Sequence, residues 1–226
     1  IAKANTLGNI VHDSIEELYT PLLNKHLNVK DLKKIKESVK KTVFKKTGKY
    51  INKKSLERGK NIIISNTAVN YVEKLINKDI NSCNKGDKIK ILEVEKDFSS
   101  EIESDKRRIK IRGKIDRIDL INGEVRLIDY KTGKLIEKSK MNIKSLKEVK
   151  NENGIYALQL LFYGLGIQNE HKEKIYGEII SSRDLLNNDK ILHIEGNKYL
   201  NKSVMDQAKE YIFQIVEEIR DKEKVF

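Results

Sequence analysis

The sequence has little of several residues that would otherwise decide its class. Cysteine occurs once in 226 residues, at Cys83. That excludes a disulfide framework and any zinc or iron–sulfur centre held by cysteines of this chain, and a reducing, cytoplasmic setting is expected. Proline occurs once, at Pro21, and tryptophan not at all. No internal repeat and no low-complexity linker divides the chain. No apolar run is long enough to cross a bilayer, and no signal-peptide pattern is visible, so no membrane partner is expected. With 38% hydrophobic residues, the length suits one large domain with ample core. The chain opens on Ile1 rather than Met, and a domain excised from a longer protein is expected.

What is abundant is lysine. The net charge is +12 and the pI about 9.4, which points to a polyanionic partner. The excess is concentrated. From Lys30 to Lys60 there are thirteen Lys/Arg against three Asp/Glu, a local excess of ten. Such a run serves equally as a solvated face, a nucleic-acid footprint or a docking surface for a partner.

The stretch with most chemistry runs from Lys110 to Lys134. Asn122-Gly123 separates two alternating runs and signals a type I′ hairpin, whose central residues both need φ > 0. A two-residue loop puts Ile121 opposite Glu124 and, by the same register, Asp116 opposite Asp129. Like charges so placed repel, and call for a cation or a shared proton between them. Lys131 lies on the face of Asp129, and the rest of that face (Ile118, Leu120, Val125, Leu127) is apolar. On the other face Asp119 opposes Arg126, which gives Asp119 a structural partner.

Around the hairpin, Thr6 caps a predicted helix to about Tyr19, ended by Pro21, with His12 beside its apolar stripe. Residues 30–46 read as a basic amphipathic helix broken at Gly48, and a longer helix runs from about Asn52 to Ile80. Residues 88–98 form a strand, and a charged turn lies near Glu103–Arg107. Residues 135–154 form a connection with little pattern. Residues 155–167 form a short apolar helix on which Tyr156, Gln159 and Tyr163 share a stripe. A strand over 173–180, a short one near 190–195 and a helix from about Ser203 to Arg220 complete the chain.

The elements G-N-I-V-H, GKIDRID, DYKTG and QLLFY, in that order, resemble the RecB/AddB-type nucleases of the PD-(D/E)xK superfamily. The resemblance covers most of the chain. It implies an α/β restriction-endonuclease-like core, a central mixed β-sheet flanked by helices. The core would span about 86–226 of a single domain, preceded by a helical part over about 1–85. The motif histidine matches His12, the first acidic position Asp116, the D-x-K signature Asp129 and Lys131, and the Q-x-x-x-Y helix Gln159 and Tyr163. Glu95 falls where many members carry a glutamate on the first strand.

The implied function is a DNA nuclease, an exonuclease of a helicase–nuclease-type repair protein, with a helicase portion or subunit as partner and DNA as substrate. Mg²⁺ or Mn²⁺ would be held by His12, Asp116, Asp129 and the backbone carbonyl of Tyr130. Lys131 would orient the attacking water or stabilise developing charge. Gln159 and Tyr163, with Lys114 and Arg117, would contact DNA. Relatives with a four-cysteine iron–sulfur cluster differ here, since Cys83 stands alone. The alternative reading is a non-catalytic DNA-binding or scaffold module.

Overall fold

The computed structural model describes residues 5–51, 59–104, 107–133, 141–146, 149, 154–183 and 190–221. The helices are α1 (Thr6–Tyr19), α2 (Val29–Glu37), α3 (Val39–Tyr50), α4 (Lys60–Asn84), α5 (Ile155–Ile167) and α6 (Lys202–Arg220). The strands are β1 (Ile89–Ser104), β2 (Arg107–Ile121), β3 (Glu124–Lys131), β4 (Asn142–Ile143), β5 (Ile175–Ser181), β6 (Lys190–Ile191) and β7 (His193–Ile194).

Five strands form the central sheet in the order β1-β2-β3-β5-β6. β1, β2 and β3 are antiparallel neighbours, β3 runs parallel to β5, and β6 is antiparallel to β5. This is the mixed α/β sheet of a restriction-endonuclease-like fold. The turn at Asn122 (φ 52°) and Gly123 (φ 89°) has the left-handed pair that a type I′ hairpin requires. The pairs Arg117–Ile128 to Ile121–Glu124 keep the expected register.

The alternation on β3 builds two cores on opposite faces of the sheet. Val125 and Leu127 pack with α5 and α6, while Ile128 and Tyr130 pack with α1 to α4. β5 is buried along its whole length, as a strand covered on both faces must be.

Three expectations change. The basic segment is two helices meeting at Ser38, and Gly48 lies inside α3. The side chain of Asn28 caps α2 through the Asp31 N–H, at 2.9 Å. The helix expected from Asn52 is described from Lys60; residues 52–58 lie outside the described residues, as does most of the 135–154 connection. β1 extends to Ser104, six residues beyond the predicted strand, so β1 and β2 continue as a two-stranded ribbon past the end of β3.

Arg117 requires the clearest correction. It was expected to contact DNA, yet it is 1% exposed. Its guanidinium lies 2.7 Å from Asp79 of α4 and 2.6 Å from Asp119. Asp119 in turn takes both Nε and Nη2 of Arg126, which reaches Glu178, and Glu178 meets Lys78 at 3.0 Å. Tyr19 donates to Asp79 at 2.6 Å and lies under the Arg117 guanidinium. Three cations and three anions alternate through the interior and tie β2, β3 and β5 to α4. The sequence hides this because Asp79 and Arg117 are thirty-eight residues apart.

Removing one anion from this ladder leaves buried guanidinium charge uncompensated. Asp119→Ala is expected to cost about 3–5 kcal/mol, the usual penalty for breaking a buried pair on one side. Guanidinium-chloride unfolding reads this as a large drop in midpoint; an unchanged midpoint would contradict the structural role assigned to the ladder.

Candidate functional site

Beyond Arg117–Ile128, β2 and β3 no longer pair through backbone alone. The Tyr130 N–H donates to the Asp116 carboxylate at 2.6 Å, so a side chain replaces the next ladder contact. β3 meanwhile stays paired with β5 as far as Lys131–Ser181. The Ser182 N–H donates to the Lys131 carbonyl, so alternation turns the N–H and C=O of Tyr130 towards β2. The expected Asp116–Asp129 pairing is thereby opened, and the two carboxylates take different partners.

Asp116 joins His12 of α1 and Glu95 of β1. The His12 Nδ1 lies 3.0 Å from Glu95 Oε1 and 3.4 Å from Asp116 Oδ1. One potential ligand atom from each of the three residues falls within 4.8 Å of the others. Two irregularities of β1 place Glu95 there. Leu92 is an extra residue in the β1–β2 pairing, and Glu95 itself has φ 48°. A non-glycine residue in that region costs on the order of 1 kcal/mol, and such strain collects at functional positions. Lys114, half-exposed, lies 3.7 Å from Glu95 at the rim.

Asp129 joins the stripe of α5. Its Oδ1 accepts from Gln159 Nε2 at 2.6 Å, from Lys131 Nζ at 3.0 Å and from the Tyr163 hydroxyl at 3.1 Å. Gln159 Oε1 accepts from Lys131 at 2.9 Å, and its Nε2 also donates to Tyr163. The amide therefore has its oxygen on the ammonium and its nitrogen on the carboxylate, which a glutamate could not reproduce. Tyr163 is backed edge-on by Phe98, ring centroids 6.2 Å apart. Phe98 fits because residue 166 is glycine; a Cβ there would lie 2.4 Å from the ring.

α1, β1, β2, β3 and α5 thus each contribute to one end of the sheet. A family model described as the PD-(D/E)XK nuclease superfamily matches residues 1–225. The chain belongs to the PD-(D/E)XK nuclease superfamily. It is also similar to a solved structure titled "Crystal structure of SSO0001", at 15% identity over 96% of this chain and 87% of that one, with a TM-score of 0.31. No curated protein matches the sequence.

The residues of this PD-(D/E)XK chain fit a divalent cation. Asp129 Oδ2 is buried and makes no hydrogen bond, although Lys131 Nζ lies 2.8 Å away. Glu95, Asp116 and Asp129 set three carboxylates against the ammonium of Lys131 and, at the rim, that of Lys114, leaving one negative charge with His12 neutral. The set of carboxylates, an imidazole and a nearby carbonyl suits Mg²⁺ or, with the histidine, Mn²⁺. The Asp129 pKa is pushed above the usual carboxylate range by burial and then by the charge of Asp116. Burial works to lower the His12 pKa, but its hydrogen bonds to Asp116 and Glu95 prevail and raise it to about 10. Metal-free, the histidinium is the local counter-charge; as a ligand, it must first lose its proton.

Of the sequence-derived candidates, His12, Asp116, Asp129, Tyr130, Lys131, Gln159, Tyr163 and Lys114 meet at this end of the sheet, and Arg117 points into the core. Glu95 earns a firmer place than sequence gave it. Its only signal is an acidic residue at the right point of a strand, and the strand's alternation is broken before it, at Leu92, and at Glu95 itself.

The raised His12 pKa sets the sign of a pH dependence. Its stabilising contribution is complete below the unfolded value of 6.5 and is lost as pH rises towards about 10. Thermal melts in EDTA should therefore show stability falling across that window, and less so in His12→Ala. Stabilisation by added Mn²⁺ should grow over the same window, because fewer protons compete. Metal stabilisation that is flat with pH would refute the assignment of His12 as a ligand.

Proposed function

We propose that this chain is a divalent-metal-dependent deoxyribonuclease of RecB/AddB type, an exonuclease within a helicase–nuclease-type repair protein. The observation that carries the reading is the meeting of His12, Glu95 and Asp116 with the Asp129–Lys131–Gln159–Tyr163 network, on five elements of a PD-(D/E)XK fold.

His12, Glu95, Asp116, Asp129 and the Tyr130 carbonyl would hold Mg²⁺ or Mn²⁺. Bound there, the ion supplies a water acidic enough to attack at neutral pH and neutralises charge on the scissile phosphate. Lys131 stands ready at the same place. Asp129 and Gln159 fix its Nζ, so its N–H groups are aimed before substrate arrives and need no reorganisation as negative charge develops. Gln159 is a positioning residue that sets both the lysine and the carboxylate. Tyr163 supplies a hydroxyl to the Asp129 carboxylate, and burial pushes its own pKa up, so it remains a neutral donor. Lys114 at the rim would receive a phosphate of the strand. The net charge of +12 favours DNA as the substrate. Among the described residues no helix is long and apolar enough to cross a membrane.

The test is cleavage of end-labelled linear and circular single-stranded DNA with Mg²⁺ or Mn²⁺, beside EDTA. The wild type should digest the linear DNA and spare the circle. Lys131→Ala and Asp116→Ala should each slow it by about 100-fold or more, the scale of losing one charge-stabilising group. Wild-type rates in both folded variants would overturn the proposal. DNA binding without cleavage under any metal would favour the non-catalytic module.

A further inference from the structure

The lysine-rich helices α2 and α3 take no part in the chemistry above, yet they carry most of the local charge excess. Lys30, Lys33, Lys34, Lys36, Lys40 and Lys41 lie on them, and all but the partly covered Lys36 are exposed. Among the described residues none of these six has an ion-pair partner within 4.0 Å. The lysines nearer the C-terminus of α3 do: Lys45 and Lys46 meet Glu17, and Lys49 meets Asp13. Asp13 adjoins His12 in sequence, so α3 runs from the unpaired lysines towards the metal-ligand group. Its twelve residues span about 18 Å. Tyr50 closes the row. The residue is 41% exposed and its hydroxyl donates to Asp13 at 3.2 Å.

We propose that the exposed face of α2 and α3 is a track for the phosphate backbone of single-stranded DNA, ending at Tyr50 as a base-stacking platform beside the site. This rests on the nuclease reading. Three observations favour a nucleic acid over an acidic protein. The cations are all lysines, hydrated point charges suited to phosphates in no fixed register. No large apolar side chain between Val29 and Lys49 is exposed, so a protein partner would find no anchor there. The single exposed aromatic among the described residues lies at the end of the row nearest the site, where a flat ring serves a base in passage. The β1–β2 ribbon is also rich in cations, but Arg108 there is answered by Glu101 and Glu103, and Lys114 by Glu95.

The test separates the track from catalysis. Binding of fluorescein-labelled oligo-dT, about twenty nucleotides long to cover more than one site size, is titrated against salt with the Lys131→Ala chain. The same is done after adding K33Q, K34Q, K40Q and K41Q, with Lys110→Gln plus Arg112→Gln on the ribbon as control. Each lysine on a single-strand phosphate contributes roughly 0.7 to the slope of log affinity against log salt. The four-lysine variant should thus lose about 3 from the slope, keep its thermal melt, and bind at least tenfold more weakly (~10-fold) in low salt. The ribbon control should lose less than half as much. Tyr50→Ala should weaken binding without changing the slope. An unchanged slope in the four-lysine variant, or an equal loss in the ribbon control, overturns the track. Because binding is read in a Lys131→Ala background, the result stands whether or not the wild-type chain cleaves DNA.

Discussion

Carboxylates pressed together inside a protein must be met by positive charge, and this fold meets that demand twice by different means. On the α4 face of the sheet, Asp79, Asp119 and Glu178 are interleaved with Arg117, Arg126 and Lys78. The charges cancel within the protein, every link is direct, and the result clamps strands to a helix. At the end of the sheet, Glu95, Asp116 and Asp129 share the ammoniums of Lys131 and the half-exposed Lys114 and one ionisable imidazole, and the buried Asp129 Oδ2 has the Lys131 ammonium beside it but no hydrogen bond. With His12 neutral, as a metal ligand must be, one negative charge is left there for a cation to meet. Buried ion pairs add little net stability when complete, but an incomplete set stores a demand for a cation. The first arrangement holds the second in place, since Arg117 and Asp116 are adjacent and the ladder fixes the strand that carries both.

The geometry of the site comes from departures from regular β structure. The insertion at Leu92 and the left-handed backbone of Glu95 re-aim β1. The Asp116 carboxylate takes the Tyr130 amide where a backbone pair would otherwise continue. Each departure costs something locally, and each is surrounded by packed residues: Ile115 and Ile118 on one side, Ile128 and Tyr130 on the other. α5 then brings a prearranged hydrogen-bond network rather than flexible side chains, because Gln159 is bonded to Lys131, Asp129 and Tyr163 together. A lysine so held has little conformational freedom left to lose when substrate binds. Lys30, Lys33, Lys34, Lys40 and Lys41 of α2 and α3 are the opposite case, long, exposed and without an ion-pair partner among the described residues, which suits contacts that must slide.

The sequence alone determined what depends on neighbours along the chain. Asn122-Gly123 set the hairpin and its register, because few residue pairs accept φ > 0 twice. Alternation separated the face of Asp129 and Lys131 from that of Arg126 and Ile128, and the helical spacing of Gln159 and Tyr163 placed them on one stripe. The family motifs added His12 and the order of the parts. The sequence could not show what depends on contacts across the fold. Arg117 read as a cation beside the motif, but Asp79, on a helix far away in sequence, draws it inside. Glu95 read as one acid among several, until a bulge and a left-handed residue turned it towards His12. The Asp116–Asp129 pair read as opposed carboxylates, yet β3 keeps its pairing with β5 while its Tyr130 amide turns to a side chain of β2. Periodicity reports which face a residue occupies; only packing decides which charges meet there, since that depends on distances between segments that the chain's local rules do not set.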